Sequence, residues 1–389
     1  MVDQEYFRET ELPYELWLCS FPGIGNRQLR ILLELCGDAR RVYFASPGEW
    51  KQVLNEKQVE NLKRFTEDWK PEAEYMKMQE KGIRLVTLAD SDYPGRLREI
   101  PDAPYGLFVR GQIPGEEQSV AVVGARDCSQ YGAFVARKLG EILGRYGIIV
   151  VSGMARGVDG ISQQAALDAG GISWGVLGSG VDVCYPRQNR ALYDRLPVQG
   201  CLISSYPLGT PALSRNFPPR NRIVSGLADA VVVVEAREKS GTLITVDMAW
   251  EQGREVYAVP GRVTDRLSDG CNRLIRQGAI PLLDPEDLIT ELAELRQQKQ
   301  QMMTPKLSHS PNGRKPAYES AADMFLQLLP PELSAVYHTL ELTPRTIQEI
   351  CDHLPDQYRH INLNTCLMRL CMESLAEQVS PGCFCKKCP

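Results

Sequence analysis

Five glycine-rich or basic segments, each of which follows a short apolar run, carry residue types that suit phosphate binding. They are VGARDCSQYG (123–132), SGMARGVDG (152–160), GSGVDVCYPRQN (178–189), FPPRNRIVSG (217–226) and EAREKSGTLIT (235–245). Glycine lets backbone N–H groups approach a ligand, arginine presents a planar fork of donors, and serine or threonine caps a following helix. One such turn alone has a purely geometrical explanation. Five in succession predict a single anion-binding surface.

A strand of nucleic acid fits this set better than one mononucleotide, which rarely needs so many basic turns. Phe217 and Tyr185 can stack on bases, and the arginines can contact phosphates. The candidates are Gly124, Arg126, Ser129, Ser152, Gly153, Arg156, Gly178, Tyr185, Asn189, Phe217, Arg220, Arg222, Lys239, Ser240, Gly241 and Thr242. We expect Ser129 to cap the next helix and to leave its N-terminal amides for an anion.

Enzyme classes that share this kind of turn leave no signature here. The first segment reads G-A-R-D-C-S instead of G-x-G-x-x-G, and no G-x-x-x-x-G-K-[ST] occurs, which excludes a dinucleotide oxidoreductase and a P-loop NTPase. Carboxylates such as Asp159, Asp182 and Glu235 could serve a nucleotide hydrolase, but we interpret them as turn and cap residues. All four histidines lie beyond residue 300. We therefore expect no catalytic residue and no cofactor.

The 12 cysteines are spread along the chain without a secretory signal, so we expect reduced thiols. The terminal Cys383, Cys385 and Cys388, with Cys366 or Cys371, could bind zinc, but C-x-C-x-x-C lacks paired C-x-x-C knuckles. We expect no metal site. The N-terminus is acidic, and no apolar stretch approaches the about 18 residues of a membrane span. These features predict a cytoplasmic protein that does not contact a membrane.

The elements that position the five segments follow from the alternation of apolar runs and helical patterns. Runs at 119–125, 148–153, 173–180, 201–207, 230–236, 255–261 and 279–283 predict strands, preceded by strands at 82–89 and 105–111. Helical patterns at 131–147 and 160–171 separate the first of them. Continuously apolar strands indicate a parallel sheet covered on both faces, and ligands of such doubly wound α/β domains bind at the carboxyl ends of the strands.

Charge separates this central part from its flanks. The net charge is −5 overall, but residues 118–278 carry +4 whereas 1–117 and 279–389 carry −5 and −4. Residues 187–222 contain six arginines and a single acid, Asp194. We expect several of these arginines to lie in glycine and proline turns instead of along one exposed helix, which favours a binding role over a solvated face.

Three further segments complete the predicted organisation, which is a helical domain (1–74), the Rossmann-like domain (75–290), a linker (291–317) and a C-terminal domain (318–389). FPGIGNRQLRILLELCG (21–37) resembles a helix-hairpin-helix element, for which packing or protein contact is favoured over DNA contact because the surrounding segment is acidic.

The C-terminal domain shows three helical patterns, at 332–340, 346–354 and 362–379, before a glycine-centred end. This order predicts a winged helix. A generic helical cap for protein contact is the alternative. The presumed recognition helix has one basic residue, Arg369, and two acidic residues, Glu373 and Glu377, which is unfavourable for DNA contact.

The five segments, together with EVYAVPG (255–261) and GCNRLIRQGAIPLL (270–283), resemble in order and spacing the DNA-processing protein A (DprA/Smf) family of bacteria. The resemblance covers residues 80–290. It adds Ala155, Gly157 and Asn221 to the candidate DNA contacts. Ala125 stands where the family often has serine or threonine, and Cys271 where it has a hydroxyl residue, so that individual hydrogen bonds are weakened.

The resemblance implies a non-enzymatic recombination mediator. It would bind and protect incoming single-stranded DNA in natural transformation, load the RecA recombinase onto that DNA and form a homodimer. One alternative is a nucleotide phosphoribohydrolase of the lysine-decarboxylase-like group, which shares the fold but needs P-G-G-x-G-T-x-x-E, whereas this chain reads K-S-G-T-L-I-T-V-D. Another is a winged-helix DNA regulator.

Overall fold

A computed structural model describes residues 2–113, 115, 117–293, 331–340, 345–355, 358, 361–372, 376–380 and 382–386. The chain divides into two compact units, Met1–Pro305 and Lys306–Pro389. Within the described ranges, no helix is long and apolar enough to cross a membrane. No group of three or more His, Cys, Asp or Glu side chains that could hold a metal ion occurs in that same part of the chain.

Helices form the start of the first unit. They are α1 (Val2–Ser20), α2 (Asn26–Cys36), α3 (Ala39–Phe44), α4 (Pro47–Trp50), α5 (Glu56–Asp68) and α6 (Pro71–Glu80). Ser46 and Asn55 cap α4 and α5 with reciprocal side-chain bonds, as their positions before Glu49 and Gln58 favour. The apolar faces of α1 to α5 pack into one core around Trp17, whereas Met78 of α6 packs with β1 and β2. The turn at 21–25 joins α1 to α2, and Gly25 caps α2.

A nine-stranded sheet follows in the same unit. Its strands are β1 (Ile83–Thr87), β2 (Gly106–Gly111), β3 (Ser119–Val123), β4 (Ile149–Ser152), β5 (Ser173–Val176), β6 (Gly200–Ser204), β7 (Ala230–Val233), β8 (Glu255–Ala258) and β9 (Ile280–Pro281). The order is β1-β2-β6-β5-β4-β3-β7-β8-β9. The pairs β1–β2 and β2–β6 are antiparallel and the other pairs are parallel. The predicted mostly parallel α/β sheet is confirmed.

Helices cover both faces of this sheet. They are α7 (Gly95–Arg98), α8 (Gln130–Arg145), α9 (Val158–Asp168), α10 (Arg190–Arg195), α11 (Phe217–Gly226), α12 (Gly241–Glu251), α13 (Asp269–Arg276) and α14 (residues 285–293). Alternate residues of β3 enter opposite cores: Ala121 packs with α11 to α13, and Val122 packs with α8 and α14. The chain proceeds to opposite sides from β3 and β7, so the crevice of the doubly wound fold lies between them.

One predicted loop is a helix. The segment 217–226 was expected to be a strand-end loop, but it forms α11. Its two prolines occupy the first helical turn, where the missing N–H groups have no intrahelical acceptor to lose. Arg190, Arg195, Arg220 and Arg222 therefore lie on α-helices, and Arg187 and Arg215 lie in short 3₁₀ helices. This corrects the expectation that several of these arginines lie in glycine and proline turns.

The second unit contains α15 (Pro331–Thr339), α16 (Ile347–His353), α17 (Leu363–Met372) and an antiparallel sheet of β10 (Arg345–Thr346), β12 (Cys383–Lys386) and β11 (Ala376–Ser380), in that order. The helical pattern at 362–379 is too long, because residues 376–380 pair with β12. Winged-helix architecture stays a prediction. Most of the linker (291–317), together with Glu373, Cys388 and His360, lies outside the described residues.

Candidate functional site

A cleft of about 540 Å³, here called the main cleft, opens where β3, β4 and β7 end. The loops after these strands form one wall and α11 forms another. The predicted residues that line it are Gly124, Arg126, Gly153, Ala155, Tyr185, Phe217, Arg220, Asn221, Lys239, Ser240, Gly241 and Thr242. A smaller adjoining cavity adds Arg156 and Gly178. The structure thus gathers most of the candidate set at the switch point of the sheet.

An aromatic ring flanked by two cations lies at the centre of the main cleft. The Cζ atoms of Arg126 and Arg220 lie 5.3 and 5.6 Å from the ring centroid of half-buried Phe217. The ring of Tyr185, 45% exposed, lies 5.9 Å from it at an interplanar angle of 32°. A Cβ at Gly178 would come within 2.9 Å of Phe217 Cδ1, so the glycine leaves room for the ring. This arrangement provides a π surface beside positive charge.

Arg220 is only 4% exposed and crosslinks three elements. Its Nη1 donates to the carbonyl oxygens of Gly153, at 2.6 Å, and of Val176. Burial lowers the pKa of Arg220 to about 10, which still keeps the guanidinium charged at neutral pH. Burial also raises the pKa of Asp159, which the positive charge of Arg220 opposes. The carboxylate accepts from the Gly153 amide at 3.1 Å.

Two predicted residues support the turn between β4 and α9 from outside the main cleft. Asn189 Nδ2 donates to the carbonyl oxygens of Met154 and Ala155, at 2.9 and 3.0 Å. Ser152 is buried, and its hydroxyl donates to the Val122 carbonyl at 2.6 Å. Met154 has a φ of 53°, a conformation that costs a non-glycine residue energy unless its surroundings hold it.

Gly157 allows two loops to approach each other. Its φ is 71°, and a Cβ there would overlap the carbonyl oxygens of Ala125 and Arg126, which are backbone atoms and cannot swing away. The glycine is needed both for its conformation and for the close approach of the two strand-end loops.

Replacing Gly157 with alanine is expected to lower the free energy of unfolding by about 2–4 kcal/mol, as a strained φ adds to a backbone clash. Gly170→Ala is the matched control, because Gly170 has a φ of 82° but open space around a Cβ. It is expected to cost about 1 kcal/mol. Urea denaturation of both variants measures the difference, and equal losses would contradict a steric role for Gly157.

Ser129 serves the chain itself. Its hydroxyl donates to Glu235 Oε1 at 2.5 Å, and its amide donates to Glu235 Oε2 at 2.9 Å. Glu235 is 1% exposed, so a buried carboxylate already occupies the N-terminus of α8. The structure therefore contradicts the expectation that these amides stay available for an external anion.

Lys239 and Arg126 supply the accessible positive charge of the main cleft. Both side chains are exposed, and neither has an ion-pair partner in the part of the chain that the structure describes. Arg156, by contrast, pairs with exposed Asp127 at 3.3 Å. Thr242 Oγ1 donates to the Gly124 carbonyl at 3.3 Å and so holds the start of α12 against the first strand-end loop.

Arg222 lies away from the main cleft, on the opposite flank of α11. Residues i and i+2 of a helix are about 200° apart around its axis, so Arg220 and Arg222 cannot face the same side. The periodicity of an α-helix is therefore enough to separate the two arginines, once residues 217–226 are known to form a helix. Other lining residues were missed: Ser214, Pro218, Val224, Ile244 and Thr245. Nothing in their local sequence distinguishes them from helix surface or core.

Comparison with known proteins places the main cleft inside a matched region. The family model "DNA recombination-mediator protein A" matches residues 84–293, more than half of the chain. Protein Smf of Escherichia coli strain K12 is 44% identical over 207 residues, which are 52% of this chain and 55% of that protein. The match thus spans about half the length of that relative.

Two other similarities extend further along the chain. Protein Smf of Synechocystis sp. is 31% identical over 370 residues, 88% of this chain and 90% of that protein. The X-ray structure of DNA processing protein A (DprA) from Streptococcus pneumoniae superposes with a TM-score of 0.64 at 35% identity, covering 72% of this chain and 97% of that one.

Proposed function

Because the chain belongs to the DNA recombination-mediator protein A (DprA/Smf) family, we propose that its main cleft binds single-stranded DNA for recombination. The observation that carries the proposal is the Phe217 ring between Arg126 and Arg220, with Tyr185 beside it. Stacking on a ring requires a base whose face is free, which a single strand offers and a duplex does not. The unpaired charges of Arg126 and Lys239 suit the phosphates on either side.

The candidate residues then divide into two roles. Those that line the main cleft and the adjoining smaller cavity contact DNA, whereas Ser129, Ser152, Gly157 and Asn189 hold the loops in place. Arg222 lies outside both sets. Asp159 lines the cleft but accepts from the Gly153 amide and faces Arg220, so it stabilises the turn instead of acting as a base. The protein acts without catalysis, and release of a free base from a nucleoside monophosphate by the purified chain would contradict this.

The wider role follows from the same proposal. The protein protects incoming DNA in natural transformation, loads RecA onto it and works as a homodimer in the cytoplasm. Its oligomeric mass in solution tests the dimer. RecA assembly on single-stranded DNA, with and without the protein, tests the loading. Competition between poly-dT and duplex DNA separates this function from that of a winged-helix regulator, which would prefer one duplex sequence.

Arg126→Ala and Lys239→Ala are each expected to weaken binding to an oligothymidylate about 5- to 20-fold, since each removes one charged contact. The negative slope of log K against log salt concentration is expected to become shallower by about 0.7 for each variant. Fluorescence anisotropy across a salt series measures both quantities.

Arg145→Ala is the matched control for these two variants. Arg145 is exposed in the last turn of α8, which begins at the carboxyl end of β3 and so carries this residue to the opposite edge of the sheet. Its replacement is expected to leave affinity and salt slope unchanged. If all three variants behave alike, the main cleft is not the DNA site.

A further inference from the structure

A second cleft, of about 210 Å³, lies on the other flank of α11, between the sheet and the N-terminal helices. The α1–α2 turn (21–26) forms one wall, and residues 104–106 form another. Pro219, Arg222 and Ile223 of α11 close it. The proposed function assigns nothing to this cleft.

The two clefts meet at the first turns of α11. Pro218 and Asn221 line the main cleft, whereas their neighbours Pro219 and Arg222 line the second. The two clefts therefore lie on opposite sides of the same turns of α11, and a helix is about 10–12 Å across with its side chains. A strand that leaves Phe217 across these prolines would enter the second cleft directly.

Arg222 gives the second cleft its positive charge. Its Nε atom is buried and has no hydrogen-bond partner within the described ranges. Its Nη1 lies 3.9 Å from Glu251 Oε2, but that carboxylate is 67% exposed, which makes the ion pair weak. The Arg222 side chain is 22% exposed, so the accessible part of it can meet an incoming phosphate oxygen.

The other groups in the second cleft are fixed in place. Asn26 ties the α1–α2 turn to the sheet, because its Nδ2 donates to the Ala103 carbonyl at 2.7 Å and its Oδ1 accepts from the Tyr105 amide at 2.8 Å. Asp102, which also lines the cleft, accepts from the same Nδ2 at 3.2 Å and is the charge that opposes an anion there. The cleft is therefore preformed.

The remaining walls are apolar or aromatic, chiefly Phe21, Ile24, Leu29 and Tyr105. An apolar cleft with a cation at its edge suits a ligand that has a flat, weakly polar part and an adjoining negative charge. A nucleotide has this composition, and an unpaired base can insert beside aromatic rings.

We propose that single-stranded DNA leaving the main cleft crosses the first turn of α11 and places a further nucleotide in the second cleft, with its phosphate on Arg222. This inference rests on the proposed function. It gives the α1–α2 turn a direct part in DNA binding, although the acidic composition of the surrounding residues 1–117 favours packing or protein contact.

Oligothymidylates of increasing length, from about 4 to about 16 nucleotides, test the extension, as this is the range that single-strand-binding modules cover. Arg222→Ala is expected to weaken binding of the longer oligonucleotides about 5- to 20-fold and to lower their salt slope by about 0.7. The shortest oligonucleotides that bind should be unaffected. Arg222→Lys is expected to keep the salt slope. The exposed Arg64→Ala in α5 is the control.

Photocrosslinking of wild-type protein to 5-iodouracil oligonucleotides needs no variant. Crosslinks at Phe21 or Tyr105 with long but not short oligonucleotides would support the second cleft. If Arg222→Ala binds all lengths as the wild type does while Arg126→Ala binds all of them weakly, the extension is wrong and the main cleft stands. If no oligonucleotide binds the wild type, the proposed function itself fails.

Discussion

Replacing Arg220 with alanine is expected to lower the free energy of unfolding by about 3–5 kcal/mol, the usual cost of removing one partner from a buried charged network. The guanidinium is 4% exposed and donates to the carbonyls of Gly153 and Val176. Its loss removes a donor from both carbonyl oxygens and leaves the buried Asp159 carboxyl without the positive charge that opposes the rise in its pKa. Denaturation in guanidinium chloride, with the slope compared between variants, measures the change.

Arg126→Ala is the matched control, because this arginine also stacks on Phe217 but is exposed. The free energy of unfolding of the Arg126→Ala variant is expected to change by no more than about 0.5 kcal/mol. In an Asp159→Asn background, Arg220→Ala should cost less, since no buried carboxylate is then left uncompensated. Equal losses for Arg220→Ala and Arg126→Ala would contradict the supporting role of Arg220 in the fold.

The parallel sheet and the edge at which the main cleft lies were predictable because both depend on local patterns. Continuous β-branched runs gave the strands, and the carboxyl ends of parallel strands lie at one edge of any such sheet. Each run predicted its strand, but the strand often ends sooner: the run at 173–180 contains β5, which ends at Val176. The apolar residues that follow a strand are buried in the loop. Composition alone does not distinguish such loop residues from residues that pair with a neighbouring strand.

The predictions from sequence were wrong where the structure depends on residues distant in the chain or on which way the face of a helix points. Glu235, which lies at the N-terminus of α8, is 106 residues away from Ser129 in the sequence. No residue near Ser129 predicts this contact. The proline pair of α11 is as typical of a turn as of a first helical turn, so Arg220 and Arg222 were assigned to one surface. Only the helix places one of them in the protein interior beside the main cleft and the other in the second cleft.

Replacing Phe217 with alanine is expected to weaken binding to oligothymidylates by about 5- to 150-fold, the effect of losing about 1–3 kcal/mol of stacking with one base. The ring is half-buried, and the Cζ atoms of Arg126 and Arg220 lie over it at 5.3 and 5.6 Å from its centroid, so a base that stacks there lies beside positive charge. Fluorescence anisotropy at several salt concentrations measures the change.

The salt dependence distinguishes stacking from charge at this site. Because the Phe217 ring carries no charge and releases no counterion, Phe217→Ala should lower affinity while keeping the wild-type slope, whereas Arg126→Ala lowers both the affinity and the steepness of the slope. Phe217→Leu is the matched variant, since it retains apolar volume beside Gly178 but has no π face. If the leucine variant binds as tightly as the wild type, the ring acts only as packing for α11, and the base must be held elsewhere in the main cleft.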